Sequence, residues 1–130
     1  MIILGHNFIK SEPFYFVKKS EDISNTPSNS TVVFEFSEKN LELCTHCRDE
    51  DVSFAIIADV VKDVLFANSL GASFIICDKK LVSKAQKLAD EYMFDAKILL
   101  YGANETDLEW AADLGIDGIL FEKGIDYGSC

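Results

Sequence analysis

From Thr31 onward the chain alternates between short apolar runs and amphipathic stretches. The segments "TVVFEFS", "SFAIIAD", "ASFIICD", "AKILLYG" and "DGILFE" are nearly continuous in Val, Ile, Leu and Phe. That pattern is expected of strands buried on both faces of a parallel sheet, where no side faces water. Between them the period changes. Over Lys79 to Met93 the residues Leu81, Val82, Ala85, Leu88, Ala89 and Tyr92 recur at one-turn spacing, which predicts a helix laid over the sheet by that stripe. The phrases "SLGASFIICD" and "DLGIDGILFE" place Gly71 and Gly115 where a helix ends and a residue tolerant of positive φ is needed. The repeating unit is one helix plus one strand, about twenty residues long, the spacing of βα units.

The first thirty residues are less regular. "MIILG" and "FYFVKK" read as strands, while Pro13 and "SEDISNTPSNS" read as a turn and a loop. Too few residues precede Thr31 for a separate core, so 1–130 is expected to be a single α/β domain with an irregular region at 1–30. A closed barrel of eight βα units needs about 250 residues. The expected fold is therefore an open, mainly parallel sheet of five to seven strands with helices on both faces, either flavodoxin-like or a partial TIM-barrel-like sheet.

Composition narrows the partners. Twelve basic residues stand against twenty-two acidic ones, a formal charge of -10, and no run of Lys or Arg interleaved with aromatics occurs. Such a surface repels phosphate backbones and anionic lipid, which argues against nucleic acid and membrane partners. No basic region precedes the short apolar start and no window approaches eighteen apolar residues, so a cytoplasmic location is expected. Four cysteines at irregular spacing then read as reduced thiols.

In "ILLYGANETDLEWAADLGIDGILFEKG" the residues Gly115, Ile116, Asp117, Gly118 and Ile119 follow a helix ending in Leu-Gly and open a strand. This stretch resembles the last βα unit of phosphodiesterase-type TIM barrels, above all the glycerophosphodiester phosphodiesterases, and the similarity extends more weakly back to about Val52. The resemblance implies fold and no catalytic residue. That family's His-Arg-Gly opening has no counterpart, since Asn7 and Phe8 follow His6, and its Glu-x-Asp metal motif is missing. The whole chain is also similar to small bacterial α/β proteins of unassigned activity. A phosphoacceptor receiver domain is excluded because no acids follow "MIILG" and Lys123 precedes Gly124 rather than proline.

The sharpest local cluster is "LCTHC", Leu43 to Cys47. On a helix, Cys44 and Cys47 lie about 60° apart on the face of Leu43, while His46 points about 100° or more away. Three such groups do not converge on one ion, and no second pair supplies the remaining zinc ligands. Cys77 and Cys130 are single. The cysteines are expected to be core, with a metal or redox pair as the alternatives.

Topology offers a better site. Ligands of parallel α/β sheets bind at the carboxyl ends of the strands, where helix amino termini present unpaired donors. Those ends carry His6, Asn7, Asp59, Asp78, Lys79, Tyr101, Asn104 and Glu122, together with Ser37, Gly102 and Lys123. His6 and Asn7 belong to the set if "MIILG" is parallel to the rest. Asp59, Asp78 and Asn104 also stand where helices begin and can serve as caps, Asn104 with Asp107 in the manner of a capping box. On the outer helical faces Phe66 and Trp110 are expected at an interface or against a neighbouring element.

No Gly-x-Gly-x-x-Gly or Walker-type loop follows any strand, so no nucleotide cofactor is expected. The sequence reads as a small cytosolic α/β protein that binds a small molecule at the strand ends and self-associates as a homo-oligomer. The alternative is a metal-assisted, phosphate-handling enzyme in which rim acids hold Mg²⁺.

Overall fold

A computed structural model of the chain describes residues 1–102 and 104–128; Cys130 lies outside the described residues. Eight strands form one sheet: β1 (Ile2–Leu4), β2 (Phe14–Phe16), β3 (Val32–Glu35), β4 (Phe54–Ile57), β5 (Phe74–Cys77), β6 (Lys97–Tyr101), β7 (Gly118–Leu120) and β8 (Ile125–Asp126). Their order is β1-β7-β6-β5-β4-β3-β2-β8, and each pairing is parallel. The helices are α1 (Ser20–Ile23), α2 (Leu41–Asp49), α3 (Val61–Ser69), α4 (Lys79–Glu91) and α5 (Asp107–Asp113). The apolar runs are strands as expected, and so are the two segments before Thr31. The count of eight exceeds five to seven because β8 is a two-residue strand that no periodicity could reveal.

Helices do not cover both faces, and the fold is not flavodoxin-like. From β2 to β7 the spatial order follows the chain order, so each crossover turns the same way and drops its helix on the same side. One hydrophobic cluster lies under the helices and includes Phe34, Phe54, Ile75, Ile98 and Ile119 with Cys44, Val64, Val82 and Ala111. The other face must bury itself. Its cluster holds Phe14, Val33, Ala55, Ile76, Leu99, Leu120 and Ile125, flanked by Ile2, Leu4, Phe16, Ile57, Phe74 and Tyr101, all of them strand residues. The Phe14 and Phe74 rings, on strands three places apart, meet at 5.0 Å between centroids. Only a strongly curled sheet allows that.

The ends of the curl meet along a seam. β1 runs on to β2 without a helix, and β7 to β8 through a single 3-10 turn at Glu122–Gly124, and these two stretches pair twice, β1 with β7 and β2 with β8. Ile2 N–H donates to Asp117 O and Phe121 N–H to Leu4 O, each at 2.9 Å. The ladder remains open, since β1 and β8 each have one partner. At the amino-terminal end Thr31, Ser53 and Ser73 link β3, β4 and β5 through hydroxyl bonds of 3.1 and 3.0 Å.

Several sequence expectations need correction. In α4 the covering stripe is Leu81, Val82, Ala85, Gln86 and Ala89, whereas Tyr92 is 67% exposed. Gln86 is buried because it serves polar groups: its Oε1 accepts from Asp117 N–H and its Nε2 donates to Asp90, both at 2.9 Å. Asp117 in turn accepts from Ile98 N–H at 2.9 Å. The Asp of the Gly-Ile-Asp-Gly-Ile phrase therefore fastens β6 to β7 at the end away from the rim. Val60, the residue just before α3, is exposed, and the face of that helix turned to the sheet carries Val64 and Ala67.

Cys44 and Cys47 are buried with Leu43 on α2, and His46 is turned partly outward, as the 100° rotation requires. Burial pushes both thiols up to about 11, and Cys77 to about 12 with Asp78 beside it. Since the thiolate is the reactive form, iodoacetamide at neutral pH is expected to leave these three cysteines unlabelled until the chain unfolds. Peptide mass spectrometry with and without denaturant checks this. Among the described residues no helix is long and apolar enough to cross a membrane.

Candidate functional site at the carboxyl ends of the strands

Because β1 is parallel to the other strands, the loop after it reaches the same rim as the loops after β6 and β7. These three loops enclose a cleft of about 290 Å³ lined by Gly5, His6, Asn7, Asn104, Glu105, Phe121, Glu122 and Lys123. Four of the eight ligand-contact candidates, His6, Asn7, Asn104 and Glu122, come together here.

His6 is held on both ring nitrogens. Phe8 N–H donates to Nδ1 at 3.0 Å, so the ring proton sits on Nε2, which donates to Glu105 Oε1 at 2.5 Å. The ring meets Phe8 and Phe121 edge-on, with centroids 4.8 and 5.0 Å away. His6 thus has no free lone pair, and it orients the Glu105 carboxylate, whose second oxygen has no partner among the described residues. Lys123 Nζ donates to Asn7 Oδ1 at 3.3 Å. Sequence reasoning missed Glu105, although an acid just after a strand end and just before a helix is a recoverable signal.

The other candidates are committed elsewhere. Asp78 caps α4, accepting from Lys80 and Leu81 N–H at 3.0 Å each. Asp59 is exposed and does not cap α3. Asp63, one turn into that helix, instead accepts the Asp59 N–H at 3.0 Å. Asn104 Oδ1 accepts from Thr106 N–H and Asp107 accepts from Asn104 N–H at 2.9 Å, but no bond runs from Asp107 N–H to the Asn104 side chain and Thr106 stands as the residue before α5, so the pair forms only half of a capping box. Tyr101 closes the inner mouth of the curl. Its hydroxyl lies 3.5 Å from that of Tyr127, whose ring packs on Phe16. Burial, the Tyr127 bond and nearby Glu122 hold the Tyr101 phenol well above its ordinary range. The 660 Å³ cleft beside Tyr127 lies on the outer side of β2 and β8 and contains none of the candidates.

Lys79 spans two loops, with Nζ 2.6 Å from Asp107 Oδ1. That bond, with the Asn104 N–H, keeps the Asp107 carboxyl below its ordinary value. A depressed carboxyl stabilises the fold above its unfolded-chain value, near 4, and loses that contribution as pH falls through the lower folded value. Asp107→Asn is therefore expected to melt below the parent at pH 7, with the difference shrinking below about pH 4. Melts between pH 7 and 3 check this, and a pH-independent gap would assign the loss to another cause.

Among the described residues no group of three or more His, Cys, Asp or Glu side chains is arranged to hold a metal ion. Trp110 and Phe66 are 39% and 51% exposed, the latter stacked on Phe36 at 6.0 Å. They sit on α5 and α3, with α4 between in strand order.

No family model matches the sequence, and no curated protein matches it. Solved structures resemble the fold, among them the following two. One is described as a glycerophosphoryl diester phosphodiesterase from Silicibacter pomeroyi DSS-3, with 16% identity over 69% of this chain and a TM-score of 0.49. The other is a Schiff-base-forming fructose-1,6-bisphosphate aldolase, with 17% identity over 95% of this chain and a TM-score of 0.57. The chain spans 34% of the first protein's length and 63% of the second's. The likeness to the second of these, together with the curled all-parallel sheet itself, meets at the level of fold the resemblance to TIM barrels that the carboxyl-terminal sequence carries.

Proposed function

We propose that this protein binds a small molecule in the cleft between the loops after β1, β6 and β7. The observation that supports the reading is the convergence of His6, Asn7, Asn104 and Glu122 on one concave site at the carboxyl ends of parallel strands. That is where sheets of this type leave backbone donors and loop side chains free for ligands. The volume suits a molecule of few heavy atoms, and the fixed His6–Glu105 pair gives it a preorganised wall.

Amide NMR spectra recorded against a broad panel of small metabolites test the reading. Binding is expected to move the signals of residues 5–8, 104–105 and 121–123 together. A panel whose hits move only signals around Tyr127 and Asn25, in the larger outer cleft, would overturn it. Self-association through Phe66 or Trp110 is a subordinate part of the proposal, supported by the exposure of both rings. Light scattering that finds a monomer at all concentrations removes it. The metal-assisted alternative would need only one or two rim carboxylates for Mg²⁺, and among the described residues no group of three or more His, Cys, Asp or Glu side chains adds support to it.

A further inference from the structure

Resting on that cleft reading, we infer that the ligand is a small organic cation, an ammonium or guanidinium compound, held by Glu105 and Glu122 beside the Phe121 ring. Three charged side chains line the cleft, and two of them are carboxylates. The one ammonium, Lys123, is already bonded to Asn7. Glu105 is fixed by the His6 N–H yet keeps an oxygen for a ligand, and the Glu122 carboxylate has no hydrogen bond or ion pair among the described residues. An anion would meet both carboxylates, whereas a cation would meet two acceptors and the Phe121 ring that lines the cleft, a combination that attracts ammonium groups. The formal charge of -10 biases the whole surface the same way.

His6 enters as a positioning residue. Its Nδ1 accepts from Phe8 N–H and its Nε2 meets Glu105 Oε1, so the ring ties the loop after β1 to the loop after β6 and fixes that carboxylate.

A matched four-carbon series separates charge from shape: 1,4-diaminobutane, 1,4-butanediol and succinate, each titrated into the whole protein and followed by amide NMR. The diamine is expected to move signals at 5–8, 104–105 and 121–123, with the diol and succinate silent. Glu105→Gln with Glu122→Gln is expected to weaken the diamine at least tenfold while leaving the melting temperature near the parent's. Lys123→Ala, which removes a like charge, is expected to tighten it severalfold. Succinate or the diol shifting the cleft while the diamine does not would overturn the cation inference and leave the cleft reading standing. Diamine shifts scattered over the acidic surface, or silence toward all three compounds, would also overturn it, and the broad panel then decides the cleft reading separately.

Discussion

Gly5→Ala is expected to lower stability by about 2–5 kcal/mol, the sum of a left-handed backbone penalty of about 1–2 and an overpacking cost of about 1–3. Gly5 has φ of +81°, and a Cβ there would lie 2.5 Å from the Gly124 nitrogen, a backbone atom that cannot swing aside. The contact sits where the stretch leaving β1 passes the stretch entering β8, so the strain falls on the seam. Gly118→Ala tests the same seam without a special φ. Its Cβ would come within 2.7 Å of Ile2 and Leu99 on the inner face, with an expected cost of about 1–3 kcal/mol. Chemical denaturation of both variants checks the values. A Gly5→Ala protein as stable as the parent would mean that the seam is not formed as described. Gly102→Ala is the control: it shares a positive φ of +80° but has nothing within 4 Å, so it should show the backbone penalty alone.

What the sequence disclosed was local. The apolar runs and the stripe of α4 announced strands and helices because burial on one or both faces leaves a period in the residues themselves. Curvature leaves no such mark. Val33, Ala55, Ile76 and Leu99 face the inside and Val32, Phe34, Ile75 and Ile98 face the helices, yet both sets are equally apolar. Nothing in that alternation says whether the inner face meets helices or its own far edge. The decision rests on strand order, which depends on the seam between residues more than a hundred positions apart. The site was legible to the same degree. Strand ends pointed to His6, Asn7, Asn104 and Glu122, but the loop that carries His6 joins those that carry Asn104 and Glu122 only because β1 pairs with β7. Asp59 and Asp78 were equally good candidates by position, and their separation from the cleft follows from the same order.

The curl makes a prediction that a flat sheet cannot share. Phe14→Ala and Phe74→Ala are each expected to cost about 3–5 kcal/mol, since both rings fill the inner face and neither void can collapse between strands. Phe14 is buried and Phe74 half-buried, so the second belongs at the lower end. Their rings meet at 5.0 Å and a 41° tilt, a geometry worth about 0.5–1.5 kcal/mol beyond the area buried. The double variant should therefore lose less than the sum of the single losses by about that amount. In an open flat sheet β2 and β5 would be separated by two intervening strands, about 14 Å at ordinary strand spacing, and the two losses would simply add. Additivity in a denaturant-melt cycle would thus count against the curled interior itself. The rim that carries the cleft would survive that result, because β1, β7 and β6 are neighbours in the sheet and the loops that follow them meet whether or not it bends.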